Sequence, residues 1–236
     1  MLVLDNVRYS AEDKGAEKEI IKGISLELKE DFIALTGPNG SGKSTLARLI
    51  MGIYKPTFGR IYFNGTDITD LSINERANLG LGFAFQQPVR FKGITVKDLI
   101  SIASGRELKV SEVCDYLSEV GLCARDYVDR EVNASLSGGE LKRIEIASVM
   151  ARKSKLFLFD EPEAGIDLWS FTSLVRVFDN LREKYGSLIV ISHQERILDE
   201  AKRIIVLKDG VVVDDGTKDQ VLKSLAFFST CSALKG

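Results

Sequence analysis

The stretch Gly37-Pro38-Asn39-Gly40-Ser41-Gly42-Lys43-Ser44-Thr45 decides the fold class of this 236-residue chain. It follows the apolar run Phe32 to Leu35 and precedes a helical pattern from Leu46 to Ile50. Strand, glycine-rich loop and helix in this order are typical of a phosphate-binding loop. The glycines let successive N–H groups turn toward one anion, and the helix adds the positive end of its dipole. The stretch predicts a site for a nucleoside triphosphate with its magnesium.

The polar positions of this loop have distinct expected tasks. Lys43 supplies a full positive charge for the β and γ phosphates, and the hydroxyl of Ser44 is a ligand for Mg²⁺. Thr45 should help to hold the phosphates. Further contacts with the nucleotide are expected at Gly37, Asn39, Gly40, Ser41 and Gly42. The alternative is an ordinary glycine-rich turn, and the flanking strand and helix argue against it.

Composition and charge exclude several classes of protein. Hydrophobic residues make up 44% of the chain, which suits a packed core, and the formal net charge is −2. No global positive field would therefore draw the chain to nucleic acid or to anionic lipid. No apolar run reaches the roughly 18 residues that span a bilayer, and the first residues do not resemble a secretory signal. We expect a cytoplasmic protein with no nucleic-acid partner and no direct membrane insertion.

The three cysteines are Cys114, Cys123 and Cys231. Their odd number and wide spacing argue against a disulfide framework and against a zinc or cluster site within one chain. Cys114 and Cys123 lie in an apolar helical region and are expected as small buried side chains. Cys231 lies in a polar tail, and we expect no metal or redox role for it.

Apolar and helical segments alternate along the chain and predict an α/β fold. The runs Leu156 to Phe159 and Leu188 to Ile191 suit strands buried on both faces of a parallel sheet. Near the start, Leu2 to Tyr9 and Ile20 to Leu28 predict two further strands, with a charged loop from Ala11 to Glu19 between them. The pattern from Thr95 to about Glu131 is helical.

Two acids follow the apolar run that ends at Phe159. Ligands of open α/β sheets bind at the carboxyl ends of the strands. Asp160 is placed there to hold magnesium through water, and Glu161 is placed to polarise an attacking water. Two acids that merely end a strand at solvent are the alternative. Downstream of a phosphate-binding loop, the pattern favours a hydrolytic site.

A second glycine pair, in Leu136-Ser137-Gly138-Gly139-Glu140, precedes another helical pattern. Ser-Gly-Gly at a helix start exposes N–H groups and a dipole end, so it is typical of a second anion site. A simple N-cap followed by glycines is the alternative. Because one loop already wraps the triphosphate, this second cradle fits best in a symmetric dimer. Ser137, Gly138 and Gly139 of each chain would then close over the nucleotide of the other.

With these motifs in this order, the chain resembles the ATP-binding-cassette (ABC) ATPase family from about residue 2 to residue 222. The resemblance implies that Tyr9 stacks on adenine and that Gln86, rather than its neighbour Gln87, contacts magnesium and the attacking water. It implies that His193, the single histidine, contacts the γ-phosphate. Taken alone, Tyr9 and His193 would be assigned structural roles. Residues 164–167 correspond to the D-loop of the family.

The resemblance also implies an architecture. It predicts one domain over residues 1–236, with a mostly parallel RecA-like core and an N-terminal antiparallel β subdomain. A helical subdomain would be inserted at approximately 88–135. Two positions depart from the common family pattern: Glu140 replaces a glutamine, and Ile166 replaces a leucine. Glu140 would place a negative charge near the nucleotide of the partner chain and alter the rate of closure.

Two passages, Ser137 to Ile146 and Ser192 to Leu198, are similar to the ATPase subunit of the SUF iron–sulfur cluster assembly system. Glu161 to Trp169 is similar to a streamlined branch of that system. This resemblance implies an ATPase that rearranges a cluster scaffold protein through ATP-dependent dimerisation. The alternative is the nucleotide-binding subunit of an ABC membrane importer, whose permease would dock around Gln86 to Leu99. A DNA-repair or chromosome-structure ATPase would need a long coiled-coil insertion, which the sequence lacks.

Overall fold

A computed structural model describes residues 1–13, 15–165 and 168–221 of the chain. Expectations about Ile166, Asp167 and Cys231 therefore fall outside the described residues. The fold is α/β, as predicted, with a mixed sheet of mostly parallel strands and an antiparallel sheet. None of the described helices is long and apolar enough to cross a membrane.

Strands and helices alternate as the sequence pattern predicts. The strands are β1 (Leu2–Asp13), β2 (Ala16–Leu28), β3 (Phe32–Thr36), β4 (Phe58–Phe63), β5 (Thr66–Asp67), β6 (Leu81–Ala84), β7 (Leu156–Asp160), β8 (Ser187–Ile191), β9 (Arg203–Lys208) and β10 (Val211–Gly216). The helices are α1 (Lys43–Met51), α2 (Ile73–Leu79), α3 (Val96–Ser104), α4 (Val110–Glu119), α5 (Ala124–Tyr127), α6 (Gly138–Ala151), α7 (Leu168–Lys184) and α8 (Glu195–Glu200). The chain forms two compact units, one from residues 1–79 with the described residues from 189 on, the other from residues 80–188.

The first unit contains the antiparallel sheet, in the order β2-β1-β4-β5. It also contains the strand order β10-β9-β3-β8 of the mostly parallel sheet, although β8 begins in the second unit. Strand β3 pairs in parallel with β9, with Leu35 opposite Ile205, and β9 pairs antiparallel with β10. All five residues of β3 are buried. Burial on both faces fixes the point at which the phosphate-binding loop leaves the sheet.

The loop predicted over residues 11–19 is wrong, because β1 and β2 continue into a long hairpin. Glu12 pairs with Glu17, and Asp13 pairs with Ala16. The side chains of Glu17, Lys18 and Glu19 are exposed. Antiparallel pairing satisfies the backbone hydrogen bonds of both strands even where neither face is buried. The charged sequence therefore gave no alternation from which a strand could be recognised.

In the second unit, β6 and β7 pair in parallel, with Leu81 opposite Leu156. Every residue of β7 is buried. The ring of Phe159 lies 5.1 Å from that of Phe178 on α7, so aromatic packing fixes the strand end. This packing positions Asp160, the last residue of β7.

The helical pattern predicted from residue 95 to residue 131 forms the three short helices α3, α4 and α5. Thr95 and Asp98 form a capping box at the start of α3. Helix α4 ends at Glu119, and Gly121 shortly after it has a φ of 74°, which suits the end of a helix. Helices α3 and α4 both pack against α6.

The expectation that Cys114 and Cys123 are buried is wrong. Cys114 is partly exposed, and Cys123 is exposed. Cys123 is the N-cap residue of α5, a helix of one turn on which no residue is buried. The apolar neighbours in the sequence, Leu122 and Val120, take the buried positions instead.

Candidate active site

The loop between β3 and α1 has the backbone of an anion-binding cradle. Gly37, Gly40 and Gly42 have φ angles of 132°, 77° and 102°, in the region that favours glycine. At Gly37 a side chain is excluded, because a Cβ atom would lie 1.9 Å from the carbonyl oxygen of Leu207. The N-cap of α1 is Gly42, which has no side chain with which to cap the helix. No side chain of the N-cap residue therefore competes with an anionic ligand for the first N–H groups of α1.

Two polar side chains of this loop are buried. Lys43 is 5% exposed, and its Nζ donates to the carbonyl oxygens of Gly37 at 2.7 Å and Pro38 at 3.0 Å. These bonds hold the ammonium group against the loop backbone. Ser41 is 3% exposed, and its Oγ has no hydrogen-bond partner among the described residues. Buried hydroxyls are normally paired, so this one suits a site that a ligand completes.

His193 stands beside the residue that precedes the loop. It follows β8, and its Nδ1 lies 3.5 Å from Oγ1 of Thr36, at the limit of a weak hydrogen bond. The N–H of Ser192 donates to the carbonyl of Leu35 and fixes the backbone next to the histidine. His193 itself is exposed. The exposed imidazole can therefore reach a ligand held by the loop after Thr36.

Tyr9 stacks on a second tyrosine that the sequence analysis missed. The rings of Tyr9 and Tyr54 lie 5.1 Å apart with an interplanar angle of 5°. Arg48, on α1, donates to the hydroxyl of Tyr54 at 3.1 Å. Tyr9, which was predicted to stack on adenine, therefore packs against the ring of Tyr54, which lies shortly after α1. An aromatic after a helix end is too common a feature to have indicated this pair.

In the second unit, two carboxylates end β7 in different environments. Asp160 is 1% exposed. Glu161 has a φ of 47°, a left-handed conformation that costs a non-glycine residue on the order of 1–3 kcal/mol. Its carbonyl accepts from the N–H of Ala164 at 3.0 Å, which closes a turn. Such strain persists where a side chain must be held in one place, as in active sites.

Gln86 and Glu161 are in direct contact. Nε2 of Gln86 donates to Oε2 of Glu161 at 2.7 Å. Gln86 follows β6 and Glu161 follows β7, so the parallel pair of strands brings the two side chains together. The structure thus joins two of the residues that sequence analysis assigned to catalysis. Gln86 was the preferred one of two adjacent glutamines.

Helix α6 begins at Gly138 with Ser137 as its N-cap. Oγ of Ser137 accepts from the N–H of Glu140 at 3.3 Å, and the N–H of Ser137 donates to Oε2 of Glu140 at 2.6 Å. A Cβ atom on Gly139 would lie 2.8 Å from the carbonyl oxygen of Gly165. Glycine at position 139 therefore lets the start of α6 pack against the turn that follows Glu161.

Glu140 is bound within its own chain, which the sequence analysis did not foresee. The hydroxyl of Tyr127 donates to Oε1 of Glu140 at 2.5 Å. The bonds from Tyr127 and Ser137 lower the pKa of Glu140 to about 2. The spacing Ser137-x-x-Glu140 is a capping box, and this signal could have been read from the sequence. The charge of Glu140 is thus partly balanced by donors that belong to α6 and α5.

Ser44, Gln86 and Asp160 were predicted to hold magnesium, and the chemistry of their side chains suits it. They offer a hydroxyl, an amide oxygen and a carboxylate, and magnesium prefers oxygen ligands. The bond to Glu161 uses the amide nitrogen of Gln86 and not its oxygen. Asp160 is a buried carboxylate at a strand end. Each of the three side chains therefore offers, by its chemistry, an oxygen of the kind that magnesium binds.

Comparison with known proteins defines the class. Residues 21–164 match the family described as ABC transporter. The chain is 44% identical over 213 residues to an uncharacterised ABC transporter ATP-binding protein of Methanocaldococcus jannaschii, with 86% of this chain and 85% of that protein covered. The chain belongs to the ABC family and is an ABC ATPase.

Two further similarities bear on its role. The chain is 34% identical over 217 residues to the iron-sulfur cluster assembly protein SufC of Plasmodium falciparum, with 85% of this chain and 62% of that longer protein covered. A dimeric ATP-binding cassette in a post-hydrolysis state, bound to ADP and Pi, is 26% identical with a TM-score of 0.83. That match covers 92% of this chain and 98% of the cassette.

Proposed function

We propose that this ABC ATPase is a cytoplasmic motor of iron–sulfur cluster assembly, which binds a scaffold protein and rearranges it by ATP-driven dimer closure. The observation that carries the proposal is the similarity to SufC over most of the chain. It includes the segments 137–146 and 192–198, which resemble the SUF ATPase subunit in sequence. The scaffold, rather than this chain, would hold the cluster.

The proposed reaction is the hydrolysis of ATP to ADP and phosphate. Lys43 and the N-terminus of α1 bind the β and γ phosphates, while Ser44 and Thr45 lie in the same first turn. Glu161 orients a water for in-line attack, Gln86 aligns Glu161, and His193 stabilises the charge on the γ-phosphate. Magnesium, held by Ser44, Gln86 and Asp160, would neutralise charge on the phosphate oxygens.

The position of the second helix start supports dimerisation. Ser137 and Gly138 are exposed on the surface of the second unit. In the proposed dimer, the γ-phosphate bridges Lys43 of one chain and Ser137 with Gly139 of the other. Solved cassettes of similar fold are dimeric, which supports this arrangement. Hydrolysis removes the bridging charge, so the closed state loses its advantage over the open one.

The second unit has an apolar surface that suits a protein partner. A cavity of about 150 Å³ is lined mainly by apolar side chains, among them Phe83, Phe91 and Leu99. At its rim, Phe85 is 38% exposed and Val89 is 48% exposed. Exposed apolar groups beside a cavity are typical of interaction sites. This surface suits a scaffold, and it suits the permease of the alternative function equally well.

The alternative is the nucleotide-binding subunit of an ABC membrane importer. Relatives that include the one from Methanocaldococcus jannaschii are named as ABC transporter ATP-binding proteins. An importer would use the same loop, the same carboxylates and the same dimer. Only the partner separates the two functions.

The test is recovery of the partner from the native cell. A tagged Glu161→Gln chain, which should remain closed with ATP, is purified with Mg-ATP, and the co-purified proteins are identified by mass spectrometry. We expect a protein that binds an iron–sulfur cluster when reconstituted and that raises the ATP turnover of the wild-type chain. Recovery of a permease with several membrane spans would contradict the proposal.

A further inference from the structure

Lys142 of α6 has no solvent-exposed surface, which is rare for lysine. Its Nζ donates to the carbonyl oxygen of Phe85 and lies 3.5 Å from that of Gln86. The same ammonium group lies 3.2 Å from Oε2 of Glu145, three residues further along the helix. This last contact is an ion pair without the angles of a hydrogen bond.

Glu145 binds the backbone N–H of Phe85, the residue whose carbonyl oxygen Lys142 binds. Its Oε1 accepts from the N–H of Phe85 at 2.8 Å. The N–H of Phe85 is thus bound by Glu145, and its carbonyl is bound by Lys142. The next residue is Gln86, whose side chain donates to Glu161. A buried ion pair on α6 therefore fixes the backbone from which Gln86 reaches Glu161.

Stability alone is a poor explanation for this pair. Removing two charges from water costs several kcal/mol per ion, and apolar residues of similar volume are often as stabilising. Most of the other buried residues of α6 are apolar, among them Leu141, Ile144 and Ile146. Burial raises the pKa of Glu145, as expected for a carboxylate removed from water. The two charged side chains make two directed bonds to the backbone of a single residue, Phe85.

We propose that Lys142 and Glu145 are positioning residues for ATP hydrolysis, which hold the backbone at Phe85 and Gln86 so that Gln86 keeps Glu161 aligned. The inference rests on the proposed roles of Gln86 and Glu161. The side chains of Lys142 and Glu145 are 1% and 12% exposed, so we expect the pair to affect the rate of the chemical step and not the affinity for ATP.

The test uses the double variant Lys142→Met/Glu145→Gln, which removes both charges and leaves no buried charge unpaired. We expect kcat to fall about 10- to 100-fold, as for a small misplacement of catalytic groups, with KM for ATP unchanged within about twofold. Lys184→Met is the matched control, because Lys184 is an ion-paired lysine of the same unit that is 52% exposed. Its kcat should equal that of the wild type.

A cycle with Gln86→Ala separates positioning from a general effect on the fold. If the pair acts through Gln86, adding the double substitution to Gln86→Ala should lower kcat no further. An additional loss equal to that seen in the wild-type background would overturn the inference, as would a wild-type kcat in the double variant. If Gln86→Ala by itself leaves kcat unchanged, the assigned role of Gln86 fails first, and the inference fails with it.

Thermal unfolding of each variant shows whether it is folded at the assay temperature. If the double variant is not, the same cycle is run at a lower temperature at which every variant is folded. The same outcomes then support or overturn the inference.

Discussion

The two helix starts that carry the glycine motifs, α1 at Lys43 and α6 at Gly138, differ in how their first N–H groups are used. Helix α1 follows Gly42, and no acidic residue lies in its first turn. Helix α6 follows Ser137 and has Glu140 in its first turn, and the two form a capping box. The α1 start therefore has neither a side-chain cap nor an acidic residue that would compete with an anion, whereas the α6 start is already partly satisfied by its own side chains.

From this difference we infer that the two units of one chain control different steps of the ATPase cycle. The first unit, with Lys43 held against the loop, would determine the affinity for ATP. The second unit, with Gln86, Glu161 and the capped start of α6, would determine turnover and closure onto a second chain. A weaker anion site at α6 suits a contact that must form and break in each cycle.

The largest effect is expected from Glu161→Gln, which tests the second unit. Turnover should fall about 10²- to 10⁴-fold, the range for loss of a general base, while the Kd for ATP stays close to the wild-type value. Glutamine keeps an acceptor for Nε2 of Gln86, so the local geometry is retained. Phosphate release and equilibrium binding of ATP are the two measurements. Glu119→Gln, at the end of α4, is the control, and undiminished hydrolysis by Glu161→Gln would contradict the assignment.

Lys43→Ala tests the first unit. It should weaken the binding of ATP, whereas Glu161→Gln should lower turnover and leave the Kd unchanged. Loss of a charge-assisted bond to the phosphates should weaken ATP binding about 10- to 100-fold, since such a bond contributes about 1.5–3 kcal/mol. Isothermal titration of ATP checks this. Lys55→Ala removes an exposed lysine of the same unit that pairs with Asp70, and its affinity should be unchanged. Equal affinities of the Lys43→Ala variant and the wild type for ATP would contradict the role proposed for the first unit.

The smallest effect concerns the cap of α6 and its dependence on pH. The pKa of Glu140 is lowered from 4.5 to about 2, so its bonds stabilise the fold fully above pH 4.5, and this stabilisation is lost as the pH falls through about 2. Compared with Glu140→Gln, the wild type should be more stable by about 1 kcal/mol at neutral pH. Urea unfolding of both proteins at several pH values should show this difference shrinking in acid. A difference that does not change with pH would show that the carboxylate charge is irrelevant.

Local patterns predicted most of the fold. The order of strand, loop and helix around Lys43 depends on residues close in sequence. The turn from Lys208 to Gly210 is local in the same sense, since Asp-Gly is a typical hairpin-turn sequence. Asp209 and Gly210 have φ angles of 50° and 84°, as a tight hairpin turn requires. The α/β architecture followed from apolar runs whose burial on both faces the structure confirms.

The features that sequence analysis missed depend on long-range contacts or on charged residues in unusual places. Tyr9 and Tyr54 are far apart in the sequence, and no spacing rule connects them. Lys142 belongs to a residue type that is normally exposed, so nothing local indicated its burial. The described residues of the hairpin between positions 11 and 19 have no buried face and therefore show no alternation. Only the capping box of Glu140 was present in the sequence and overlooked.

The most direct measurement for the central claim is the mass of the Glu161→Gln chain in solution with saturating Mg-ATP. The account predicts a species of twice the chain mass by light scattering, which reverts to the single chain when ATP is removed. The Lys43→Ala/Glu161→Gln chain should remain a single chain under the same conditions, because the bridging triphosphate is not held. A Glu161→Gln chain that binds ATP and stays at the mass of one chain, alone and with its partner protein, would contradict the account.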